Sequence, residues 1–167
     1  HVSCLALGVS SGDLVWTSPI SFVASANCAR LCGADVDFVD VDPETGNICL
    51  KALTQKLKIA ASLGRVPKVL IVVHLAGISA AMREIRELVR PYGIKIIEDA
   101  SHGLGGLYEN EKIGSCRFSE ITVFSFHPVK PITCCEGGVA MTNCEKLKSL
   151  LDQFRTHGVV RNLISSE

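Results

Sequence analysis

The sequence lacks a long uninterrupted hydrophobic run and any excess of charge of one sign. Its longest apolar stretch, 69–82, is broken by His74, Gly77 and Ser79 and is shorter than the roughly 18 residues that a membrane span requires. Seventeen basic residues balance seventeen acidic ones, so no long-range electrostatic field favours nucleic acid or an anionic membrane. We therefore expect a soluble protein that binds neither nucleic acid nor a membrane.

The sequence also lacks a Cys-x-x-Cys pair, although it contains eight cysteines. The closest arrangements are Cys28 with Cys32 and the adjacent Cys134 and Cys135, a spacing that predicts no zinc site. Most of the eight lie in apolar segments, which predicts buried free thiols. The start of the chain lacks the basic-then-apolar layout of a secretory signal. We expect a cytoplasmic protein that binds no metal.

The sequence does contain enough apolar residues for one compact domain. Of its 167 residues, 47% are hydrophobic and 20% are charged, a balance that is typical of a compact α/β protein. No internal repeat, linker or low-complexity tract divides the chain. We therefore expect a single domain over residues 1–167.

Short runs rich in Val and Ile alternate with helical patterns along this domain. The runs predict strands at 13–17, 36–41, 68–74, 94–99 and 121–126. The patterns between them predict helices at 23–31, 50–57 and 80–90. Continuous apolar strands joined by amphipathic helices favour a mostly parallel sheet that is covered on both faces. The predicted fold is a three-layer α/β/α sandwich.

Further features concern helix ends. Ser79 precedes the third predicted helix and is a candidate N-cap. Residues 1–8 are typical of the end of an amphipathic helix. A last helix lies between Asn143 and Gly158, and its apolar residues repeat at i, i+3, i+4 and i+7: Leu147, Leu150, Leu151 and Phe154. We expect it to pack on the sheet, and we expect no element after Arg161.

A carboxylate and an imidazole lie just after the strand predicted at 94–99. In open α/β sheets, ligands bind beyond the carboxyl ends of the strands, and Asp99 and His102 lie on such a turn. Taken alone, the pair is also typical of a capped turn beside a surface histidine. Asp99 and His102 can be assigned to a ligand-binding site only if a residue of complementary chemistry lies at the end of the next strand.

The strand predicted at 121–126 leads into a lysine with a restricted backbone. Lys130 lies between Pro128 and Pro131, and each proline ring fixes its own φ and limits the residue before it. Covalent catalysis by a lysine amine needs a pKa that burial or a neighbouring cation has lowered, and a stiff setting allows this. A solvated surface charge is the alternative for Lys130 considered alone.

Together these segments resemble the DegT/StrS-type nucleotide-sugar aminotransferases, which are fold type I enzymes that use pyridoxal 5'-phosphate (PLP). The resemblance rests on the order of a strand, Asp-x-x-His, a second strand, Ser-x-x-x-x-Lys and Glu-Gly-Gly. The resemblance also includes residues 12–13, 18–27, 38–42 and 155–158. The segments 17–24, 124–127 and 130–133 are most similar to the branch that acts in pseudaminic-acid synthesis. The implied fold is the large, cofactor-binding domain of such an enzyme.

The resemblance implies an activity and its partners. Enzymes of this branch move an amino group from glutamate to C4 of a UDP-linked 4-keto-6-deoxy sugar, for the synthesis of cell-surface polysaccharides. PLP is the implied cofactor, and a nucleotide sugar and glutamate are the implied substrates. A homodimer is implied because fold type I enzymes build each active site from two subunits.

Carried over residue by residue, the resemblance assigns five positions to the cofactor. Lys130 would bind PLP covalently and act as general acid and base. Asp99 would pair with the pyridinium nitrogen and so maintain the ring as an electron sink. Ser125 would bind the phosphate, His102 would lie against the ring, and Phe22 would stack on the opposite ring face. On its own, Phe22 is more typical of a buried core residue.

The sequence departs from the family pattern in several places. A Gly-Thr/Ser-Ala turn that holds the PLP phosphate should precede the helix at 1–8, and it is absent, as is the small C-terminal domain. Ala76 stands where the family often has an aromatic residue, and Pro128 and Cys135 replace small residues in the lysine loop. We therefore expect a partial large domain with weakened PLP binding.

Two other enzyme classes and a non-enzymatic protein are alternatives. The glycines at 103–106 suggest a nicotinamide-binding fold, but its fingerprint needs glycine where Tyr108 stands. Sugar dehydratases of the same family carry histidine in place of Lys130. A non-catalytic truncated fragment that folds and dimerises remains open, because the phosphate turn is missing although Lys130 and Asp99 are retained.

Overall fold

A computed structural model describes residues 1–159, and its centre is a six-stranded β-sheet. The strands in chain order are β1 (Leu14–Thr17), β2 (Asp35–Phe38), β3 (Val69–Val73), β4 (Lys95–Asp99), β5 (Leu107–Tyr108), β6 (Glu111–Lys112), β7 (Ile121–Ser125) and β8 (Gly138–Met141). The main sheet has the order β2-β1-β3-β4-β7-β8, and β5 and β6 form a separate hairpin. All neighbours in the main sheet are parallel except β7 and β8.

The five predicted strands are all present, and the prediction of a mostly parallel sheet is confirmed. The second strand ends at Phe38 rather than at residue 41, because Val41 leaves the sheet and forms an isolated bridge with Ile48. The sequence does not signal β8, which has four residues and begins at a glycine. This antiparallel strand returns the chain along β7 directly after the loop that contains Lys130.

Helices cover both faces of the sheet. Their bounds are α1 (Val2–Ala6), α2 (Ala24–Arg30), α3 (Leu50–Ser62), α4 (Met82–Val89) and α5 (Glu145–Arg155). The first two and α5 pack on one face, and α3 and α4 pack on the other, so the predicted three-layer sandwich is confirmed. Over the described part of the chain, no helix combines the length and the apolar character that crossing a membrane requires.

The alternation of side chains along β3 connects the two halves of the core. Val69 and Ile71 join the cluster under α1 and α2, whereas Leu70 and Val72 join the cluster under α3 and α4. Successive residues of a strand point to opposite faces, and both faces are covered here. A continuous apolar run is therefore required, which is why β3 was readable from the sequence.

The predicted side-chain cap at Ser79 is wrong. Ser79 Oγ donates to the Ala80 carbonyl oxygen over 2.9 Å, and α4 begins only at Met82 without a side-chain cap. Asn143 Nδ2 donates to the Ser115 carbonyl oxygen over 2.7 Å, and α5 also begins without a side-chain cap. Both side chains act as donors to carbonyl oxygens, and neither accepts a hydrogen bond from a helix N–H.

The C-terminal end of α5 agrees with the prediction. Gly158 has φ +75°, and its N–H donates to the Gln153 carbonyl oxygen over 2.7 Å. Leu151 is buried against α1 and β7, whereas Phe154 is exposed. The prediction that no element follows Arg161 lies outside the described residues.

The eight cysteines are all free, and the prediction that most are buried is wrong. Only Cys4 and Cys116 are buried, and Cys134, Cys135 and Cys144 are exposed. The exposed three lie in the loop between β7 and β8 and just before α5. Apart from each other, their immediate sequence neighbours are polar residues that are also exposed: Thr133, Glu136, Asn143 and Glu145.

Candidate cofactor-binding site

Two neighbouring parallel strands bring the predicted site residues to one edge of the sheet. β4 pairs with β7, and Asp99 lies opposite Val123. Asp99 ends β4 and Ser125 ends β7, while His102 and Lys130 lie in the adjoining loops. Because the carboxyl ends of parallel strands share an edge, these four residues lie where open α/β sheets bind ligands.

The Asp99 carboxylate is held by three hydrogen bonds from two serines. Ser25 Oγ, on α2, donates to Oδ2 over 2.6 Å. Ser101 donates to Oδ1 from its N–H over 3.1 Å and from its hydroxyl over 2.6 Å. All three donors are neutral. Since a carboxylate offers about four acceptor positions, one remains for a cationic partner.

The side chain of Lys130 contacts His102. The distance from Lys130 Nζ to His102 Nε2 is 3.0 Å. Because an ammonium group can only donate, Nε2 accepts this hydrogen bond and Nδ1 carries the imidazole proton. The lysine backbone is held in a turn by its N–H, which donates to the His127 carbonyl oxygen over 2.9 Å. The hydrogen-bonding partner of Nζ is thus His102 and not Asp99.

The lysine-bearing loop is closed at its base by backbone hydrogen bonds. Phe126 donates its N–H to the Gly137 carbonyl oxygen over 2.8 Å and accepts from the Cys134 N–H over 3.0 Å. A Cβ at Gly138 would lie 2.8 Å from the Phe124 carbonyl oxygen, closer than carbon and oxygen pack. The close pairing of β7 and β8 therefore explains why the Glu-Gly-Gly segment ends in glycine.

A cavity of about 700 Å³ lies beside the Asp99 carboxylate. It is bordered by α1, α2, β7, β8 and α5, and its polar lining includes Ser25, Ser101 and Arg155. The volume is within the range of small-molecule sites, about 300–1,000 Å³. The other predicted site residues lie outside the lining of this cavity: Lys130, His102, Ser125 and Phe22.

Ser125 and Phe22 have few contacts of their own. Ser125 Oγ accepts a hydrogen bond of 3.4 Å from the His127 N–H. Phe22 lies between β1 and α2 and is 72% exposed, so it is not the core residue that a phenylalanine after a strand usually is. The contacts of both residues with a cofactor stay predictions.

On the opposite face of β4, Glu98 is the centre of a buried polar cluster. His74 Nδ1 accepts the Ala80 N–H over 3.1 Å, which leaves the imidazole hydrogen on Nε2. Nε2 donates to Glu98 Oε2 over 2.8 Å. Oε1 accepts from Thr122 Oγ1 over 3.0 Å and from Ser119 Oγ. A neutral histidine and two hydroxyls thus satisfy this carboxylate.

The hydrogen bonds of this cluster outweigh the cost of burying Glu98. Burial raises the pKa of its carboxyl group, and the hydrogen bonds from His74, Ser119 and Thr122 lower it by more, so the pKa lies below its ordinary value. Glu98 is therefore ionised at neutral pH although it is only 5% exposed. Its role is to hold the ends of β3, β4 and β7 together.

The sequence drew attention to Asp99 but not to the residues that hold it. Ser101 lies two positions after Asp99, so an aspartate turn of this kind was a readable signal. Ser25 is 74 positions away from Asp99, and no local pattern joins them. Glu98 and His74 were missed because each is a single polar residue at the end of an apolar strand.

The donor and acceptor groups at this edge fit PLP. The Asp99 carboxylate is positioned by neutral donors and can accept from a protonated ring nitrogen. Lys130 provides a primary amine with a neutral imidazole beside it. Arg155 lines the same cavity as Asp99, and its Nη2 lies 3.5 Å from Oδ1 of Asp152, a carboxylate of the same lining.

The chain is similar to known sugar aminotransferases in sequence. The model of the DegT/DnrJ/EryC1/StrS aminotransferase family matches residues 1–166. A UDP-4-amino-4,6-dideoxy-N-acetyl-beta-L-altrosamine transaminase of Campylobacter jejuni is 42% identical over 162 residues, which cover 96% of this chain and 41% of that protein. The chain therefore spans less than half the length of this relative.

Solved structures agree with this similarity. A DegT DnrJ EryC1 StrS aminotransferase from Brucella abortus has a TM-score of 0.90 at 31% identity, over 99% of this chain and 44% of that one. Helicobacter pylori PseC, an aminotransferase involved in the biosynthesis of pseudoaminic acid, has a TM-score of 0.82 at 32% identity. The match covers 100% of this chain and 45% of that one. Because the family model matches nearly the whole chain, the protein belongs to the DegT/DnrJ/EryC1/StrS aminotransferase family.

Proposed function

We propose that this chain is the cofactor-binding part of a PLP-dependent aminotransferase that transfers an amino group from glutamate to the C4 keto carbon of a nucleotide-linked deoxy sugar. The observation that carries the proposal is the pairing at the ends of β4 and β7. There, a carboxylate held by neutral hydroxyls lies one strand away from the loop with Lys130. The named activity of the Campylobacter relative supports the choice of an amino sugar.

Asp99 supplies the electrostatic part of this chemistry. When bound, PLP supplies a ring that withdraws electrons from the carbon that loses a proton. Asp99 would hold the ring nitrogen in its protonated form, because its charge is uncompensated by any cation among its three hydrogen-bond donors. Ser25 and Ser101 orient the carboxylate and so act as positioning residues.

Lys130 would serve as the covalent anchor and as the proton carrier. Its Nζ donates to His102 Nε2, so a neutral imidazole stabilises the protonated amine and can take up the displaced proton. Ser125 would bind the phosphate at the end of β7, and Phe22 would stack on the ring, since its exposed face is free for such a contact.

We further propose that the protein acts as a cytoplasmic homodimer whose product enters a cell-surface polysaccharide. Exposed apolar side chains flank the site on both sides: Ile20, Phe22, Val23, Val129 and Ile132. A second subunit would cover them. The eight free thiols are compatible with a reducing compartment. Analytical ultracentrifugation that gives only monomer at high concentration would contradict the dimer.

The test of the function is to map where PLP attaches. PLP is added to the protein, the bond is reduced with borohydride, and the modified peptide is identified by mass spectrometry. We expect the label on Lys130, and we expect Lys130→Ala to lose it. Lys58→Ala, which removes an exposed lysine of α3, should keep it. A label on another lysine would contradict the assignment, and no label at all would favour a non-catalytic fragment.

A further inference from the structure

Two cysteine thiols are in contact where α1 meets α2. Cys4 Sγ and Cys28 Sγ are 3.6 Å apart, and Cys4 is the hydrogen-bond donor. Cys4 is fully buried, whereas Cys28 is partly exposed. Both line the cavity that contains the Asp99 carboxylate. A small solute that enters this cavity would therefore reach the Cys28 sulfur before it could reach Cys4.

The distance between the sulfurs is close to that of a disulfide. A disulfide bond is about 2.05 Å long, so the two atoms must approach by about 1.5 Å. Closure of the bond requires this approach from side-chain rotation and a small shift of α1, a helix of five residues. Cys32, one turn beyond Cys28, is engaged elsewhere: its Sγ lies 3.3 Å from the Cys28 carbonyl oxygen.

The two thiols differ in acidity in the way that a reactive pair requires. The hydrogen bond from Cys4 lowers the pKa of Cys28 to about 7, and the same contact, together with burial, raises the pKa of Cys4. The lowered pKa gives Cys28 a larger thiolate fraction at neutral pH than an ordinary thiol has. Cys28 is thus the nucleophile of the pair, and Cys4 is the resolving thiol.

We propose that Cys4 and Cys28 form a peroxide-sensitive dithiol that closes to a disulfide beside the Asp99 cavity. The Cys28 thiolate attacks hydrogen peroxide, the O–O bond breaks, one oxygen goes to sulfur as a sulfenic acid, and the other leaves as water after protonation. The Cys4 sulfur then attacks the Cys28 sulfur, the S–O bond breaks, and a second water leaves with the Cys4 proton. Two thiols are oxidised and one peroxide is reduced.

The position of the pair connects it to the candidate site. Cys28 Sγ lies 3.5 Å from the carbonyl oxygen of Ser25, whose hydroxyl holds Asp99. A disulfide would therefore join α1 to the turn of α2 that positions this carboxylate. The proposed oxidation does not depend on PLP binding, so it can fail or succeed independently of the proposed function.

The test is to identify the disulfide after limited oxidation. The reduced protein is treated with equimolar hydrogen peroxide, its remaining thiols are blocked with N-ethylmaleimide, and it is digested with chymotrypsin without reductant. Chymotrypsin cleaves after the leucines and aromatic residues between the three cysteines, so Cys4, Cys28 and Cys32 fall in separate peptides. We expect the Cys4 and Cys28 peptides to be joined and to separate on reduction. A Cys28–Cys32 link, a random mixture or no link would overturn the proposal.

Three variants keep the proposal falsifiable if one of them folds poorly. In Cys4→Ala, oxidation of Cys28 should stop at the sulfenic acid, which dimedone traps, and the pH midpoint of Cys28 alkylation should rise from about 7 by about one unit. Cys32→Ser and Cys144→Ser should both retain the Cys4–Cys28 link. An unchanged alkylation midpoint in Cys4→Ala, or loss of the link in Cys32→Ser, would contradict the assigned pair.

Discussion

Glu98 and Asp99 are consecutive residues of β4, and their carboxylates lie in opposite surroundings. Because successive strand residues face opposite sides of the sheet, Glu98 points under α4 and Asp99 points toward α2. Glu98 is enclosed by the imidazole of His74 and two hydroxyls. Asp99 is held by two serines and borders a cavity.

The difference separates a structural carboxylate from a chemical one. A buried carboxylate that is fully satisfied stabilises the fold, because removing it leaves its donors without partners. A carboxylate with an acceptor position free beside a cavity can bind a cation that arrives with a ligand. The comparison therefore predicts that changes at Glu98 lower stability, whereas changes at Asp99 lower function.

The largest expected effect is the loss of stability in Glu98→Ala. The buried N–H of His74 and the hydroxyls of Ser119 and Thr122 would lose their acceptor, at a cost of about 3 kcal/mol in the free energy of unfolding. Urea denaturation measures the change. Asp99→Ala is the matched control and should cost about 1 kcal/mol, since both of its serine donors line the cavity and Ser25 Oγ keeps Ser21 Oγ as a partner at 3.0 Å. Equal losses of stability in both variants would contradict the distinction between a structural Glu98 and a functional Asp99.

The next largest effect is a slower amino-group transfer in Asp99→Asn. An amide cannot balance the positive charge of a protonated ring nitrogen, so we expect amino-group transfer from glutamate to slow by on the order of 100-fold. Covalent attachment of PLP at Lys130 should persist. Stopped-flow spectroscopy of the protein in its PLP-bound form measures the rate. A wild-type rate in Asp99→Asn would remove the proposed role of Asp99.

A smaller effect is expected when the support of Asp99 is weakened. Ser25→Ala removes one of its three hydrogen bonds and should reduce PLP affinity by about fivefold, or about 1 kcal/mol. Ser62→Ala, an exposed serine at the end of α3, is the control and should leave affinity unchanged. Fluorescence titration with PLP distinguishes the two. The same loss in both variants would show that Ser25 does not position the carboxylate.

The smallest effect is a gradual pH dependence that Glu98 contributes. Its pKa in the folded protein is below the ordinary value of 4.5, so the unfolded chain binds more protons between the two pKa values. The contribution of Glu98 to stability is therefore complete above about pH 4.5 and is lost as the pH falls through the lowered pKa. Unfolding midpoints between pH 3 and pH 6 measure this contribution, and we expect the slope against pH to be shallower in Glu98→Gln. An identical slope in both proteins would mean that Glu98 carries no linked proton.

Sequence patterns predicted the central strands of the sheet but not its antiparallel edge strand. β3 was readable because all five of its residues are apolar and buried, whereas in β4 only Ile96 and Ile97 provide the apolar signal. β8 was not readable, since its residues Gly138–Met141 carry no strong strand preference and are ordered by pairing with β7. The cap predicted at Ser79 is wrong: its hydroxyl donates to the Ala80 carbonyl oxygen, and α4 begins only at Met82 without a side-chain cap.

For the candidate site, sequence and tertiary structure determined different things. The sequence by itself determined which chemical groups come after β4 and β7, because Asp99, His102 and Lys130 are properties of the chain order. Only the tertiary structure decided that Ser25 holds Asp99, that Lys130 contacts His102 and that Cys4 touches Cys28. These contacts join residues 24 to 74 positions apart, and their distances depend on how helices pack on the sheet, which no local pattern encodes.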